Sequence, residues 1–191
     1  MPGKHRITVR IDNRMKDIDV GANSHSVTDH TQGNWNGMVG KLELQARSKV
    51  LFEDIQVYPN LKNKTALVKI KLNNFTGKPT KGQIIINASS FNSDKNHTLQ
   101  PLTLAYTIDS DTKELDCTLP FGDEMLLWDE FTPALYRLTA SVSNGKSSDV
   151  KTVEFGMREI TIEGKYFYIN GQKTMLRGTV ENALFPLTGY P

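Results

Sequence analysis

The chain has 191 residues, and its 23 lysine and arginine residues nearly balance its 21 aspartate and glutamate residues, for a net charge of +2. This balance excludes a disordered acidic chain, and it argues against a nucleic-acid partner because such proteins carry dense basic patches. The longest apolar run is Met125–Trp128, far short of the about 20 residues of a membrane-spanning helix, so we expect no membrane partner.

Residues 1–47 combine short alternating patterns with a long polar segment. Ile7–Ile11 alternates apolar and polar residues, Met38–Ala46 contains a weaker alternation, and Asn13–Asn36 between them is polar. Period-two alternation is typical of a half-buried strand. We therefore expect two or three strands here, too few to close a core. The first residues lack the apolar region of a signal peptide, so we expect none in this chain.

Residues 48–156 carry the strongest strand signal. Seven alternating runs follow one another between polar turns: Ile55–Val57, Val68–Leu72, Ile84–Ala88, Leu102–Ile108, Leu115–Leu119, Tyr136–Val142 and Val153–Phe155. Seven strands in about a hundred residues are typical of an immunoglobulin-like β-sandwich, in which Tyr136 would occupy the position of a tyrosine corner. No window shows a helical stripe, so the sequence predicts an all-β fold.

Residues 157–191 begin with a hairpin pattern. Ile160–Ile162 and Tyr166–Ile169 are separated by a glycine-containing turn, and Asn170-Gly171 precedes a further short run, Lys173–Arg177. Asn-Gly between two strands favours a tight hairpin turn. This hairpin cannot close a core alone, so we expect it to belong to the edge of a neighbouring domain.

Cys117 is the only cysteine of the chain, which excludes an internal disulfide and a cysteine-based metal site. It alternates with two leucines, so an inert core thiol is favoured over a reactive one. His25 and His30, with Asp29 between them, have no third ligand at a suitable spacing. We therefore expect ordinary loop histidines, no metal site and no cofactor.

Six segments carry recognisable motifs: Leu127–Leu138, Phe155–Glu159, Phe167–Lys173, Leu176–Gly178, His5–Asn13 and Trp35–Gly40. Together they resemble family 2 glycoside hydrolases, the family of β-galactosidases, β-glucuronidases and β-mannosidases. Leu127–Leu138 resembles the end of the immunoglobulin-like domain of that family. Phe155–Glu159, Phe167–Lys173 and Leu176–Gly178 resemble its junction into the catalytic barrel. His5–Asn13 and Trp35–Gly40 resemble the final strands of its jelly roll. The resemblance implies jelly-roll strands at 1–47, an immunoglobulin-like sandwich at 48–156, and the hairpin that leads into a (β/α)8 barrel at 157–191.

The resemblance implies a non-catalytic spacer of a retaining glycoside hydrolase that cleaves β-linked glycosides in carbohydrate breakdown. A retaining hydrolase uses two carboxylates, and in this family both glutamates lie further along the barrel. We therefore expect no catalytic residue and no hydrolase activity in this chain. The intact enzyme would bind a carbohydrate substrate, and the sandwich would pack on the jelly roll and the barrel. Members of this kind are often exported, which points to a periplasmic or secreted parent.

The resemblance also implies four substrate-contact residues in the intact parent: Trp35, Asn36, Arg177 and Asn182. Trp35 lies in a polar loop that borders the active-site mouth in the family, with domain packing as the alternative. Asn182 occupies the position where β-galactosidase-like members have a histidine. Because an amide cannot carry the positive charge of an imidazole, the parent would not be a standard β-galactosidase. The alternative is that Asn182 only shapes its loop.

A carbohydrate- or protein-binding module is the alternative to a spacer. Such a module needs exposed aromatic residues on one strand face or in one loop cluster. Trp128, Phe131, Pro133 and Tyr136 could form a sugar-stacking platform, but we expect them to plug one end of the sandwich, since buried aromatics contribute large apolar areas. An independent enzyme is a third option. It lacks a nucleophile–base set, because neighbours such as Asp129-Glu130 point to opposite faces of a strand.

Overall fold

The computed structural model describes residues 6–12, 38, 40–145 and 148–179. These residues contain no helix, and their strands are β1 (Val50–Asn60), β2 (Thr65–Asn74), β3 (Thr80–Phe91), β4 (Leu102–Ile108), β5 (Thr112–Pro120), β6 (Leu135–Ser143), β7 (Ser148–Phe155), β8 (Ile160–Glu163), β9 (Tyr166–Ile169) and β10 (Gln172–Thr174). The predicted all-β class is confirmed. Among the described residues, no helix is long and apolar enough to cross a bilayer.

Strands β1 to β7 form the two antiparallel sheets of a sandwich. One sheet has the order β1-β2-β5 and the other the order β4-β3-β6-β7. Each of the seven alternating runs of the sequence lies in one of these strands. The immunoglobulin-like sandwich is therefore confirmed, down to the number of its strands.

The hydrophobic core lies between the two sheets. Both sheets contribute buried side chains at alternate positions, among them Val68, Ile70, Leu72, Ile84, Ile86, Tyr136, Leu138, Ala140 and Val142. The intervening residues of β2, β3 and β6 are more exposed. The alternation in the sequence thus correctly predicted which side chains of these strands face inward.

The segments that precede the sandwich differ from expectation. Residues 6–12 and 40–48 contain no strand, and Ile7, Val9 and Ile11 are exposed. Alternation predicts which side chains would share a face, whereas a strand also needs a hydrogen-bonded neighbour. Within the described ranges, no strand pairs with either segment. The polar segment Asn13–Asn36 lies outside the described residues.

The third sheet is formed by the C-terminal hairpin strands, in the order β10-β9-β8. Asn170 and Gly171 connect β9 to β10 with φ values of 52° and 76°. Two successive positive φ angles are what an Asn-Gly hairpin turn requires. The predicted hairpin is confirmed, with a last strand that ends at Thr174.

The chain divides into two compact units. One comprises residues 46–176, and the other combines residues 1–45 with 177–191. The sandwich and the hairpin sheet therefore belong to the same unit. The assignment of the flanking residues to a jelly roll and to a barrel remains a prediction from the resemblance.

Candidate functional site at the Trp128 end of the sandwich

Tyr136 is fully buried on β6 and holds two segments at one end of the sandwich. Its hydroxyl accepts a hydrogen bond from the Leu126 amide at 2.9 Å and lies 2.6 Å from Nδ1 of His97. Burial raises the pKa of Tyr136, while the Leu126 amide acts in the opposite direction. The hydroxyl therefore keeps its hydrogen at neutral pH. Its bond to an upstream backbone group is that of a tyrosine corner.

The rings around Tyr136 form an aromatic cluster. Phe121 meets Tyr136 edge to face at 4.8 Å between ring centres, and Phe155 stacks on Tyr136 at 5.9 Å. His97 approaches Tyr136 edge to face at 5.6 Å. Such aromatic pairs contribute stabilising free energy in addition to that from the burial of their apolar surface. The cluster thus gives the loop after β5 a rigid base. His97 is part of this cluster, although nothing in the sequence pattern pointed to it.

Trp128 connects the sandwich to the segment that follows β7. Its amide donates to the Met157 carbonyl at 3.0 Å, and Leu127 forms a parallel bridge with Met157. Gly156 lies so close that a Cβ there would stand 2.7 Å from Cβ and 2.9 Å from Cγ of Trp128. The Arg158 guanidinium lies 4.5 Å from the centre of the indole ring, a cation–π contact. The tryptophan is therefore packed directly against the exit of β7.

Asn170 fastens the hairpin sheet to Trp128. Its backbone amide donates to the Glu159 carbonyl, its Oδ1 accepts from the Glu159 amide, and its Nδ2 donates to the Trp128 carbonyl, each at 2.9 Å. One residue thus serves both the turn, through its positive φ, and the attachment, through its side chain. The sequence predicted the turn but not the contact with Trp128. This group is called the joint: Trp128, Gly156, Met157, Arg158 and Asn170.

The loop at 129–132 presents Phe131 to solvent. Oδ1 of Asp129 accepts hydrogen bonds from the amides of Phe131 at 2.8 Å and Thr132 at 2.7 Å. The Phe131 side chain is 87% exposed. The expectation that Phe131 plugs the sandwich is therefore wrong. The Asp129 carboxylate closes a tight turn that holds the ring outside the core, whereas Tyr136 packs inward as expected.

Phe131 also lines a cleft of about 720 Å³. The cleft, here called the Phe131 cleft, is lined by Asn92, Ser93, Asp94, Lys95, Met125, Leu126, Leu127, Phe131, Thr132, Pro133 and Ala134. Asn92 has a positive φ of 56°, and its Nδ2 donates to the Pro133 carbonyl at 3.0 Å. The loop after β3 and the loop before β6 are thus tied together at the cleft.

One of the four predicted substrate-contact residues lies among the described residues. Arg177 is exposed and follows the hairpin outside any strand. Trp35, Asn36 and Asn182 lie outside the described residues. Their roles in the parent therefore stay predictions.

The acidic residues of the sandwich form surface contacts. Asp54 lies 3.6 Å from the Lys151 ammonium. A hydrogen bond from Gln56 is the main cause that lowers the pKa of Asp54, which is the opposite of what a general acid near neutral pH needs. In the part of the chain that the structure describes, no three His, Cys, Asp or Glu side chains are arranged to hold a metal ion. His25 and His30 lie outside it.

A family model described as "Glycosyl hydrolases family 2" matches residues 50–158, more than half of the chain. The chain belongs to glycoside hydrolase family 2. A β-galactosidase from Thermoanaerobacterium thermosulfurigenes is 34% identical to it over 67 residues, which are 35% of this chain and 9% of that protein. The matched residues are less than a tenth of this curated relative.

Solved structures of other family 2 glycoside hydrolases share the fold. A family member from Bacteroides cellulosilyticus DSM 14838 matches with a TM-score of 0.57 and 20% identity, over 69% of this chain and 19% of that one. A β-glucuronidase from Bacteroides uniformis matches with a TM-score of 0.57 and 18% identity, over 68% of this chain and 17% of that one. At these identities the likeness concerns the fold, and the chain spans about a fifth of each structure.

Proposed function

We propose that the chain is a non-catalytic spacer and scaffold of a retaining family 2 glycoside hydrolase that acts on β-linked glycosides in carbohydrate breakdown. The joint is the observation that carries this proposal. It fixes the position of the hairpin sheet relative to the sandwich. It therefore also fixes the direction in which the chain leaves β10. A domain that positions its neighbours needs such a rigid exit, because domains otherwise move relative to each other.

The exposed apolar face of the hairpin sheet supports the proposal that another domain of the parent packs against this sheet. Ile162 pairs with Phe167 and shares its face with Ile160, and all three side chains are exposed. Exposed apolar patches mark interaction surfaces. In our proposal, the barrel begins within 157–191 and covers this face, while 1–47 belongs to the jelly roll.

The joint can be tested in the intact parent enzyme. Asn170→Gly keeps a residue that tolerates the positive φ but removes the two side-chain hydrogen bonds, from the Glu159 amide to Oδ1 and from Nδ2 to the Trp128 carbonyl. We expect a lower kcat/KM, because the catalytic barrel would be held less firmly. Lys64→Gly, at another exposed turn with a positive φ of 51°, is the matched control. An unchanged kcat/KM in a variant whose hairpin has lost amide protection would contradict the scaffold role.

The proposal places both catalytic glutamates in the barrel of the parent, so this chain alone should not hydrolyse glycosides. The assay uses nitrophenyl β-galactoside, β-glucuronide and β-mannoside, with the parent enzyme as the positive control. We expect the purified chain to read at buffer background. Turnover that stays with the chain through successive purification steps would refute the non-catalytic assignment.

We also propose that Trp35, Asn36, Arg177 and Asn182 contact the carbohydrate substrate in the parent. Asn182→Ala in the parent should lower kcat/KM at least about tenfold, the loss expected for one hydrogen bond made in the transition state. Its free energy of unfolding should stay within about 1 kcal/mol of the parent value. Unchanged kinetics would overturn the assignment of Asn182. Efficient hydrolysis of simple β-galactosides by the parent would overturn the expectation that it is not a standard β-galactosidase.

A further inference from the structure

Phe131 is an aromatic ring that an ordered turn holds outside the core. The Asp129 carboxylate fixes the turn that carries it, and the ring remains 87% exposed. The face of an aromatic ring is negatively polarised and attracts C–H groups of partial positive charge, which the faces of pyranose rings supply. Because the turn is ordered before any ligand arrives, less conformational entropy is lost on binding.

The Phe131 cleft is also lined by polar groups that suit sugar hydroxyls, among them Asp94 and Lys95. Asp94 can accept hydrogen bonds and Lys95 can donate them, while a hydroxyl group does both. Neither side chain takes part in an ion pair within the described ranges. With one acidic and one basic side chain among its lining residues, the cleft has no net formal charge, which favours a neutral ligand over an acidic one.

The size and stiffness of the cleft also suit a small ligand. Its volume of about 720 Å³ falls within the range of about 300–1,000 Å³ that small-molecule sites occupy. The Asn92–Pro133 hydrogen bond ties two of its lining loops together, and the Tyr136 hydroxyl holds a third lining residue, Leu126, by its amide. The cleft is therefore preformed rather than assembled on binding.

We infer that the Phe131 cleft is a binding site for a short neutral oligosaccharide, with Phe131 stacked on one pyranose ring and Asp94 and Lys95 hydrogen-bonded to its hydroxyl groups. The site would lie on the sandwich itself and would act without the catalytic barrel. It goes beyond the spacer role, and it would let the sandwich hold a glycan chain while another part of the parent cleaves it.

The test uses the 191-residue chain and follows backbone amide signals by NMR during titration with cellotetraose, mannotetraose or β-1,4-galactotetraose. We expect at least one of these probes to shift amides of residues 92–95 and 129–134 at millimolar concentration. Tetragalacturonate serves as the acidic comparison and should bind more weakly. Phe131→Ala should lower the association constant at least about tenfold, the loss typical of a central aromatic contact.

Matched variants separate stacking from general effects. Phe75→Ala removes another exposed phenylalanine, 64% exposed and outside the cleft, and should leave binding unchanged. Phe131→Tyr should retain it, and Asp94→Ala should weaken it without touching the aromatic ring. Thermal unfolding confirms that each variant is folded. If Phe131→Ala fails to fold, Phe131→Tyr and Asp94→Ala still test whether the cleft binds the oligosaccharide.

Three results would overturn the inference. The first is the absence of amide shifts with all three neutral probes. The second is an equal effect of Phe131→Ala and Phe75→Ala on binding. The third is self-association of the chain in sedimentation experiments that Phe131→Ala abolishes while no oligosaccharide binds, which would make the cleft a contact surface between protein molecules.

Discussion

Leu138 lies in the middle of β6, where it pairs with Ala88 of β3 and Val153 of β7, and its side chain is fully buried. Leu138→Ala should lower the free energy of unfolding by about 2–5 kcal/mol, because it removes apolar contacts and leaves a cavity. Urea unfolding monitored by circular dichroism measures the loss. Val150→Ala, at an exposed apolar position of β7, should stay within about 0.5 kcal/mol. A similarly small loss for Leu138→Ala would contradict its inward orientation.

Cys117 is half-buried on β5. Burial, with a smaller contribution from the Asp116 charge, raises its pKa from 9.0 to about 11. Since the folded state favours the protonated thiol, the corresponding stability is fully present below pH 9 and is lost as the pH rises toward about 11. The sequence-based expectation of an unreactive thiol agrees with this pKa, because the thiolate is the nucleophile.

The rate of Cys117 alkylation across pH values tests this shift. In the native chain, the rate should keep rising above pH 9 and level off near pH 11. In urea it should level off near the ordinary pKa of a free thiol. Cys117→Ser gives the background rate. A native rate that levels off near pH 9 would show that the fold does not protect the thiol.

At the scale of elements, the hairpin sheet is attached to the sandwich mainly through Asn170 and Trp128. The hairpin strands are short, with four, four and three residues, and an isolated hairpin is marginally stable at best. The contacts of the joint therefore matter more for β8–β10 than for the seven strands of the sandwich. Loss of the joint should loosen the hairpin locally and leave the sandwich folded.

Asn170→Gly in this chain tests that attachment. We expect amide hydrogen exchange in 160–174 to become at least about tenfold faster, which corresponds to about 1.4 kcal/mol of lost local stability. Exchange within β2, β3 and β6 should change little. Lys64→Gly should leave the hairpin amides as protected as before. Equal protection of the hairpin in Asn170→Gly and the unmodified chain would show that its side chain does not hold the sheet in place.

At the scale of the whole molecule, the unit 46–176 should behave as one protease-resistant body. Cleavage needs local unfolding, which the joint opposes at the boundary between sandwich and hairpin. Limited proteolysis followed by mass spectrometry should yield a product bounded near residues 46 and 176, and Asn170→Gly should shorten it toward residue 157. A product that ends near 157 without any substitution would contradict a joint that holds the hairpin to the sandwich.

The sequence by itself determined the seven strands of the sandwich, the side chains that face its core, and the Asn170-Gly171 turn. These features are local, since period-two alternation and turn residues are set by neighbours along the chain. The same alternation at Ile7–Ile11 did not yield a strand, because a pattern does not supply a pairing partner. The family was also readable from short motifs, such as Leu127–Leu138, whose order and spacing are properties of the sequence.

Only the tertiary structure decided which strands pair and what the loop residues contact. Asn170 reaches Trp128, 42 residues earlier, and His97 meets Tyr136 across 39 residues. Neither contact leaves a local pattern. Phe131 and Tyr136 looked alike in the sequence as aromatic residues at the start of a strand, yet one is exposed and the other buried. The difference arises because the Asp129 carboxylate folds back on the loop that carries Phe131, whereas the register of β6 turns Tyr136 into the core.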